Sequence, residues 1–280
     1  MKLSELLVKN IDDLEDRQGN KTTISGITTG FIRLDQITSG LQNGDIITIC
    51  GASGSGKRAF AYNIISHAAI KSDAKVNVIN FSLTEKDASL RLLCTEARVD
   101  NSRIRSGFLS RNDWNKLSNA AIILMDANIN FFYITMEALR NECDLILVDT
   151  FQRLNKPDLG KNLSQEQISY EIINLLKNHA IEENIPIIVL SSLNDWAIEK
   201  RLDKRPRLTD FKYGYSALPD ISDVVISIYR DELYNSDENN PNRGIAEISI
   251  LKQRNGPVGT AILTYLNSYC RYEDLKIEPE

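Results

Sequence analysis

The chain has 280 residues, 42% of them hydrophobic and 25% charged, a composition typical of a globular protein that excludes a disordered chain. Its 33 basic and 38 acidic residues give a net charge of −5, which excludes a uniformly basic surface for nucleic acid or anionic membranes. The four cysteines form no C-x-x-C pair, the first 20 residues lack the apolar centre of a signal peptide, and no apolar run is long enough to cross a bilayer. We therefore expect a cytoplasmic protein without a membrane partner, in which any nucleic-acid site is local.

Residues 3–14 predict a short amphipathic helix that stands apart from the rest of the chain. Charged residues occupy one face, and apolar residues recur on the other at helical spacing. These apolar residues are Leu3, Leu6, Leu7, Ile11 and Leu14. A polar stretch then interrupts the pattern, so we expect a helix and its tether in residues 1–22 and one main domain in residues 23–280. The apolar stripe suits packing on its own domain and docking on a neighbouring subunit equally well.

Beyond residue 45, β-branched apolar runs alternate with helical patterns. Continuous apolar strands separated by amphipathic helices are typical of a mostly parallel sheet buried on both faces, so we predict an α/β domain. The predicted strands are Ile46–Cys50, Val76–Phe81, Leu145–Val148, Pro186–Leu190, Val224–Ile228 and Ile245–Leu251. The predicted helices are Lys57–Ala69, Glu85–Leu93, Asn112–Asp126, Thr135–Arg140 and Ser164–Glu183. Polar turn formers in residues 231–244 predict an exposed hairpin excursion.

The first predicted strand leads directly into a G-x-x-x-x-G-K sequence at residues 51–57, and a helix follows. In this context the glycines let backbone N–H groups face an anion, the helix N-terminus adds its dipole, and Lys57 reaches the terminal phosphates. The pattern therefore predicts a nucleotide-binding phosphate loop. The residues expected to bind the nucleotide are Gly51, Ser53, Gly54, Ser55, Gly56, Lys57, Arg58 and Ala59.

The position after the lysine departs from the usual phosphate-loop pattern. A serine or threonine there would hold Mg²⁺ through its hydroxyl, but this chain has Arg58, and a guanidinium cannot ligate a metal. Asp149 ends an apolar strand and is the candidate carboxylate for the water shell of a metal, while an ion pair with Arg58 is the alternative. We therefore expect ATP to bind with a doubtful role for Mg²⁺.

Several short strings resemble, in the same order, the C-terminal motor domain of the DnaB-type replicative DNA helicases. The resemblance covers nearly the whole chain. Besides the phosphate loop, it rests on residues 26–31, 34–35, 40–41, 98–100, 104–107, 204–206, 229–232, 252–257 and 259–260. It implies a RecA-like P-loop NTPase fold, an N-terminal linker helix that docks on an adjacent subunit, and an oligomeric ring that moves on single-stranded DNA.

The same resemblance reveals two further departures. In the family, the strand after the first helix ends in Phe-Ser-Leu-Glu, and that glutamate is the base that activates the attacking water. Here Thr84 takes the place of the glutamate, and Glu85 comes one residue late as the remaining candidate base. Ser192 stands where the family has a glutamine that senses the terminal phosphate. Together with Arg58, these changes predict weakened hydrolysis.

Two groups of residues complete the predicted machinery. Lys252 and Arg254 resemble the family's cations that act as catalytic residues across the subunit boundary on a neighbour's terminal phosphate, with an exposed basic strand edge as the alternative. Lys212, Tyr213 and Tyr215 follow the position of the family's DNA-contacting loop, and a lysine with aromatic rings suits the phosphates and bases of a single strand. A surface turn with locally packed tyrosines fits these three residues equally well.

The sequence thus predicts a helicase-like domain that binds ATP and single-stranded DNA in an oligomeric ring with weakened hydrolysis. The ring would form by self-association or with a related helicase subunit. The alternative is a catalytically inactive relative that regulates or loads an active helicase ring. A recombinase or clock-type ATPase of the same superfamily fits the later motifs less well.

Overall fold

A computed structural model of the chain describes residues 2–5, 7–8, 11, 15, 24–133, 135–154 and 163–275. Within these ranges, nine strands form one sheet in the order β3-β2-β4-β5-β1-β6-β7-β8-β9. The strands are β1 Ile46–Gly51, β2 Val76–Asn80, β3 Ile129–Phe132, β4 Leu145–Asp149, β5 Ile187–Ser192, β6 Val224–Tyr229, β7 Ile245–Gln253, β8 Gly259–Leu266 and β9 Arg271–Asp274. The helices are Ile32–Thr38, Lys57–Lys71, Glu85–Ala97, Asn101–Ser106, Arg111–Asp126, Thr135–Arg140, Gln165–Glu183, Asp195–Glu199 and Ala217–Ile221.

The sheet is mostly parallel, as the sequence predicts. Strands β3, β2, β4, β5, β1 and β6 pair in parallel, and β7, β8 and β9 extend the sheet with antiparallel pairs. The prediction omitted β3, β8 and β9. Strand β8 buries mainly alternate residues, so it lacks the continuous apolar run that marks a strand buried on both faces. The predicted excursion at residues 231–244 is confirmed as the connection between the antiparallel strands β6 and β7.

Helices cover both faces of the parallel part of the sheet. Ile47 and Ile49 of β1 pack in the same core cluster as the helix Lys57–Lys71, whereas Ile46 packs with the helix Gln165–Glu183 on the other face. Every residue of β1 is buried, so the strand that leads into the phosphate loop is held from both sides. None of the described helices is long and apolar enough to cross a membrane.

Much of the predicted N-terminal helix lies outside the described residues, including Leu6 and Leu14. Residues 3–5, 7–8, 11 and 15 are helical. The side chains of Leu3, Leu7 and Ile11 are 70%, 51% and 54% exposed. The described part of the apolar stripe is therefore left open to solvent by the rest of this chain.

Candidate functional site

The phosphate loop leaves the carboxyl end of β1, at the edge of the sheet where the parallel neighbours β4 and β5 also end. Lys57 Nζ lies within this loop and donates to the carbonyl oxygens of Gly51 at 2.9 Å and Ala52 at 2.8 Å. Burial lowers the pKa of the Lys57 ammonium to about 8. A partly buried cation held by backbone carbonyls is the arrangement expected of a phosphate-binding loop.

A tyrosine from the far end of the chain holds the same loop. Tyr272 of β9 donates its hydroxyl to the carbonyl oxygen of Ser55 at 3.0 Å. Gly56 has a φ of +95°, and a Cβ atom at this position would lie 2.2 Å from the Tyr272 hydroxyl oxygen. Only glycine fits both the left-handed backbone and the close approach. Tyr272 was not predicted from the sequence, because no motif surrounds it.

Arg58 pairs with Asp149 through two hydrogen bonds. Its Nε donates to Oδ2 at 2.5 Å and its Nη2 donates to Oδ1 at 3.0 Å. The Asp149 side chain is completely buried, while that of Arg58 is 28% exposed. Of the two roles considered for Asp149, the structure thus shows the ion pair. Mg²⁺ would have to displace the guanidinium to approach this carboxylate, and the loop offers no hydroxyl after Lys57 to help hold it.

The candidate base, Glu85, is the first residue of the helix that follows β2. Thr84 is the N-cap of the helix Glu85–Ala97, and its hydroxyl accepts a hydrogen bond from the Asp87 N–H at 3.1 Å. Glu85 is exposed in the first turn of this helix and borders a cleft shared with residues 81–84, Lys86 and Tyr133. The structure therefore gives Thr84 a capping role and leaves the Glu85 carboxylate outside the buried contact of Asp149.

A glutamine amide lies against the shortened sensor position. Gln152 Nε2 donates to the Ser191 hydroxyl at 2.7 Å, and the Ser192 N–H donates to Gln152 Oε1 at 3.4 Å. Gln152 follows Asp149 by three residues, so it reaches the ends of β4 and β5 together. Gln152 was not predicted from the sequence, although its position just after a strand-ending carboxylate is a usable signal.

Asp195 is a third residue that was not predicted from the sequence. Its Oδ1 accepts from the Ser53 N–H at 2.9 Å and its Oδ2 accepts from the Ser53 hydroxyl at 2.6 Å. A carboxylate therefore contacts the tip of the phosphate loop directly. Its position three residues after the end of β5 was visible in the sequence, but the pairing with Ser53 was not.

Lys252 and Arg254 lie at the end of β7, beside the amino ends of the parallel strands β6 and β1. Lys252 Nζ donates to the carbonyl oxygens of Pro219 and Asp220, both at 2.8 Å, and Arg254 Nη1 donates to Asp223 Oδ1 at 3.3 Å. The register places Lys252 beside Val225, at the start of β6, whereas the phosphate loop follows the other end of β1. Val225 pairs with Thr48, three residues before Gly51, so Lys252 lies about 10 Å back along the strand from the start of the loop. The two cations therefore face away from the phosphate loop of their own chain.

The three residues considered for DNA differ in exposure. Tyr213 is 93% exposed, and Lys212 is exposed beside it. Tyr215 is half-buried and packs edge-on against Phe151, with ring centroids 6.1 Å apart. Lys212 also lies close enough to Lys57 to contribute to lowering the pKa of that ammonium. The exposed part of this turn is thus Lys212 with Tyr213, whereas Tyr215 belongs to the packed side.

Known proteins are similar to this chain in both sequence and fold. Residues 26–274 match the family model described as DnaB-like helicase C terminal domain. Over 286 aligned residues the chain is 34% identical to the replicative DNA helicase DnaC of Bacillus subtilis (strain 168) and 35% identical to the replicative DNA helicase DnaB of Geobacillus stearothermophilus. Each alignment covers 98% of this chain and 62% of the relative, so the chain spans less than two thirds of the length of these relatives.

Two solved structures superpose closely on it. One, described as the ATPase domain of G40P, has a TM-score of 0.88 and 29% identity, covering 98% of this chain and 99% of that chain. The other, described as a DnaB-like replicative helicase and its interactions with primase, has a TM-score of 0.84 and 29% identity, covering 99% and 67%. The sheet order, the phosphate loop and these matches together show that this chain belongs to the family of DnaB-like helicase C-terminal domains, with a RecA-like α/β fold.

Proposed function

We propose that this chain is a helicase-type ring subunit that binds ATP or ADP through residues 51–59 and hydrolyses ATP only weakly. The observation that carries the proposal is the two-bond contact between Arg58 and the buried carboxylate of Asp149. A carboxylate neutralised in this way has little attraction left for a divalent cation. The guanidinium supplies part of the positive charge that a metal would bring to the phosphates.

Calorimetric titration with ATP, in magnesium and then in chelator, tests this reading. We expect similar affinities under the two conditions, because the phosphate loop and Lys57 do not depend on the metal. The variant Arg58→Thr should make binding magnesium-dependent, since it frees Asp149 and restores a hydroxyl. Arg111→Thr, at an exposed arginine on another helix, is the matched control and should change nothing. Collapse of affinity on chelation in the unaltered protein would contradict the proposal.

We attribute the weakened hydrolysis to Arg58 and Thr84, and expect substitutions at both positions together to restore activity. Arg58→Thr returns a metal ligand, and Thr84→Glu returns a carboxylate to the position that the family uses for its base. We expect ATPase activity to rise in the double variant and to rise little in either single variant, because each change alone leaves one requirement unmet. A double variant that folds, binds ATP and shows no gain would move the main defect to Ser192 or to subunit geometry.

We propose that Lys252 and Arg254 act on a neighbouring subunit and not on their own. Their position beside the amino ends of the parallel strands supports this, since side chains of this length cannot reach the phosphate loop of the same chain. In the restored double variant, Lys252→Ala or Arg254→Ala should abolish the gain in hydrolysis. Nucleotide affinity of the isolated chain should be unchanged by either substitution.

Single-stranded DNA is proposed to contact Lys212 and Tyr213, the exposed members of their turn. The lysine would neutralise a phosphate, and the ring offers a stacking surface for a base. Tyr215 is left out of the proposed interface, because its ring packs on Phe151. Fluorescence titration with a labelled oligonucleotide at several salt concentrations measures this contact.

A second candidate function follows from the same Arg58–Asp149 pair: a non-catalytic cytoplasmic relative that regulates or loads an active helicase ring. The exposed stripe of Leu3, Leu7 and Ile11 would then dock on its own kind or on a related helicase subunit. Steady-state ATPase assays with and without single-stranded DNA separate the two functions. DNA-stimulated turnover above about 1 s⁻¹ favours the motor, and background turnover favours the regulator.

A further inference from the structure

Asp195 begins the short helix that follows the carboxyl end of β5. It comes three residues after the end of β5, and β5 lies between β1, which leads into the phosphate loop, and β4, which ends in Asp149. In parallel sheets the carboxyl ends of neighbouring strands meet at one edge. Asp195 therefore lies between the phosphate loop and Asp149, the region where a P-loop protein places the terminal phosphate of a triphosphate.

The contacts of Asp195 place its negative charge on the loop itself. Both carboxylate oxygens accept from Ser53, one from the backbone N–H at 2.9 Å and one from the hydroxyl at 2.6 Å. Asp195 also lies near enough to Lys57 to act on its ammonium, more strongly than the exposed Lys212 does. Two donors at the tip of the loop are thus already used by a carboxylate.

The arginines beside the loop are paired with other carboxylates. Arg58 is bound to Asp149, and Arg230 is bound to Glu232 while also donating to the Gly54 carbonyl oxygen at 3.2 Å. Among the described residues, no lysine or arginine forms a salt bridge with Asp195. The charge of Asp195 therefore acts directly on whatever anion enters beside it.

We propose that Asp195 is a specificity residue that makes this site favour a nucleoside diphosphate over the corresponding triphosphate. The inference rests on the proposed nucleotide binding and deepens it. A triphosphate carries one more phosphate and about one more negative charge, and the order of the strands predicts that both lie on the side of the loop that faces Asp195. A diphosphate leaves that side empty and keeps its contacts with Lys57 and with the loop N–H groups that Asp195 does not occupy.

Calorimetric titration with ADP and with ATP, both in chelator, measures the preference. We expect ADP to bind about tenfold more tightly, the scale of one like-charge repulsion across about 5 Å in a partly solvated site. Asp195→Asn keeps the shape and the acceptor for the Ser53 N–H. It should raise ATP affinity about tenfold while changing ADP affinity less than about twofold. Glu199→Gln removes an exposed carboxylate from the same helix and is the matched control, with no change expected.

The salt dependence of binding to the unaltered protein is a second test of the same preference. Because the preference is electrostatic and partly exposed to solvent, the ratio of ADP to ATP affinity should shrink as salt is raised from about 0.05 to 0.5 M. Equal affinities for the two nucleotides, or an equal gain for both in Asp195→Asn, would overturn this inference and leave the proposed function intact. Failure of both nucleotides to bind would overturn the proposed function and this inference with it.

Discussion

Replacing Arg58 by methionine should strongly destabilise the protein, because it leaves the Asp149 carboxylate buried without a cation. The Asp149 side chain has no exposed surface, and its remaining side-chain partner is the Thr150 hydroxyl at 2.8 Å. Removing one partner of a buried ion pair costs about 3–5 kcal/mol in the free energy of unfolding. Since the Arg58 side chain is 28% exposed and partly screened by water, we expect a loss of about 2–3 kcal/mol.

A double-mutant cycle isolates the pair. Arg58→Met, Asp149→Asn and the double variant are unfolded in urea at pH 7, and the free energies are compared at equal m-values. Asp149→Asn should cost about 1 kcal/mol, because Arg58 can then turn toward solvent. The double variant should cost less than the sum of the single variants, with a coupling of about 1.5–3 kcal/mol.

The exposed pair of Lys75 and Glu142 serves as the control for this cycle. Its N–O distance is 3.3 Å, and its side chains are 44% and 89% exposed, so its coupling should stay below about 0.5 kcal/mol. If the Arg58 and Asp149 substitutions are additive within about 0.5 kcal/mol, the pair does not hold the site together and the reasoning is refuted.

Three further predictions concern charge and a fourth concerns assembly. Burial, followed by the neighbouring Asp223, raises the pKa of Asp45 from 3.8 to about 6, so the folded protein loses stability as pH rises through that range. Asp45→Asn should therefore be more stable than the parent by about 1–2 kcal/mol at pH 7.5 in thermal unfolding, with the difference vanishing toward pH 4, and an equal difference at both pH values contradicts this. Because burial lowers the pKa of Lys57 to about 8, nucleotide affinity should fall as pH rises from 7 to 9.5, and a constant affinity would refute it. Lys212→Ala should lower the salt slope of binding to single-stranded DNA by about one unit, whereas equal slopes would remove this lysine from the interface. Deleting residues 1–16 should lower the mass measured by light scattering, and an unchanged mass would place the apolar stripe on its own domain.

Local patterns in the sequence were enough to predict the centre of the site. The phosphate loop is a contiguous segment, and its strand, glycines and Lys57 each follow from neighbours a few residues away. The strands β1, β2 and β4 were predicted for the same reason, because both faces are buried and each run is rich in apolar residues. The short strand β9 and the alternating strand β8 have no such run.

The contacts that surround the phosphate loop join parts of the chain that are distant in sequence and that only the fold brings together. Asp195 and Ser53 are 142 positions apart, and Tyr272 and Ser55 are 217 positions apart. Neither pair has a local pattern, since each depends on which strands are neighbours in the sheet. Burial likewise separated Tyr215 from the exposed Tyr213. The residue types in this chain determined that a phosphate loop forms, because that chemistry is local, whereas the order of the strands decided which charges surround it.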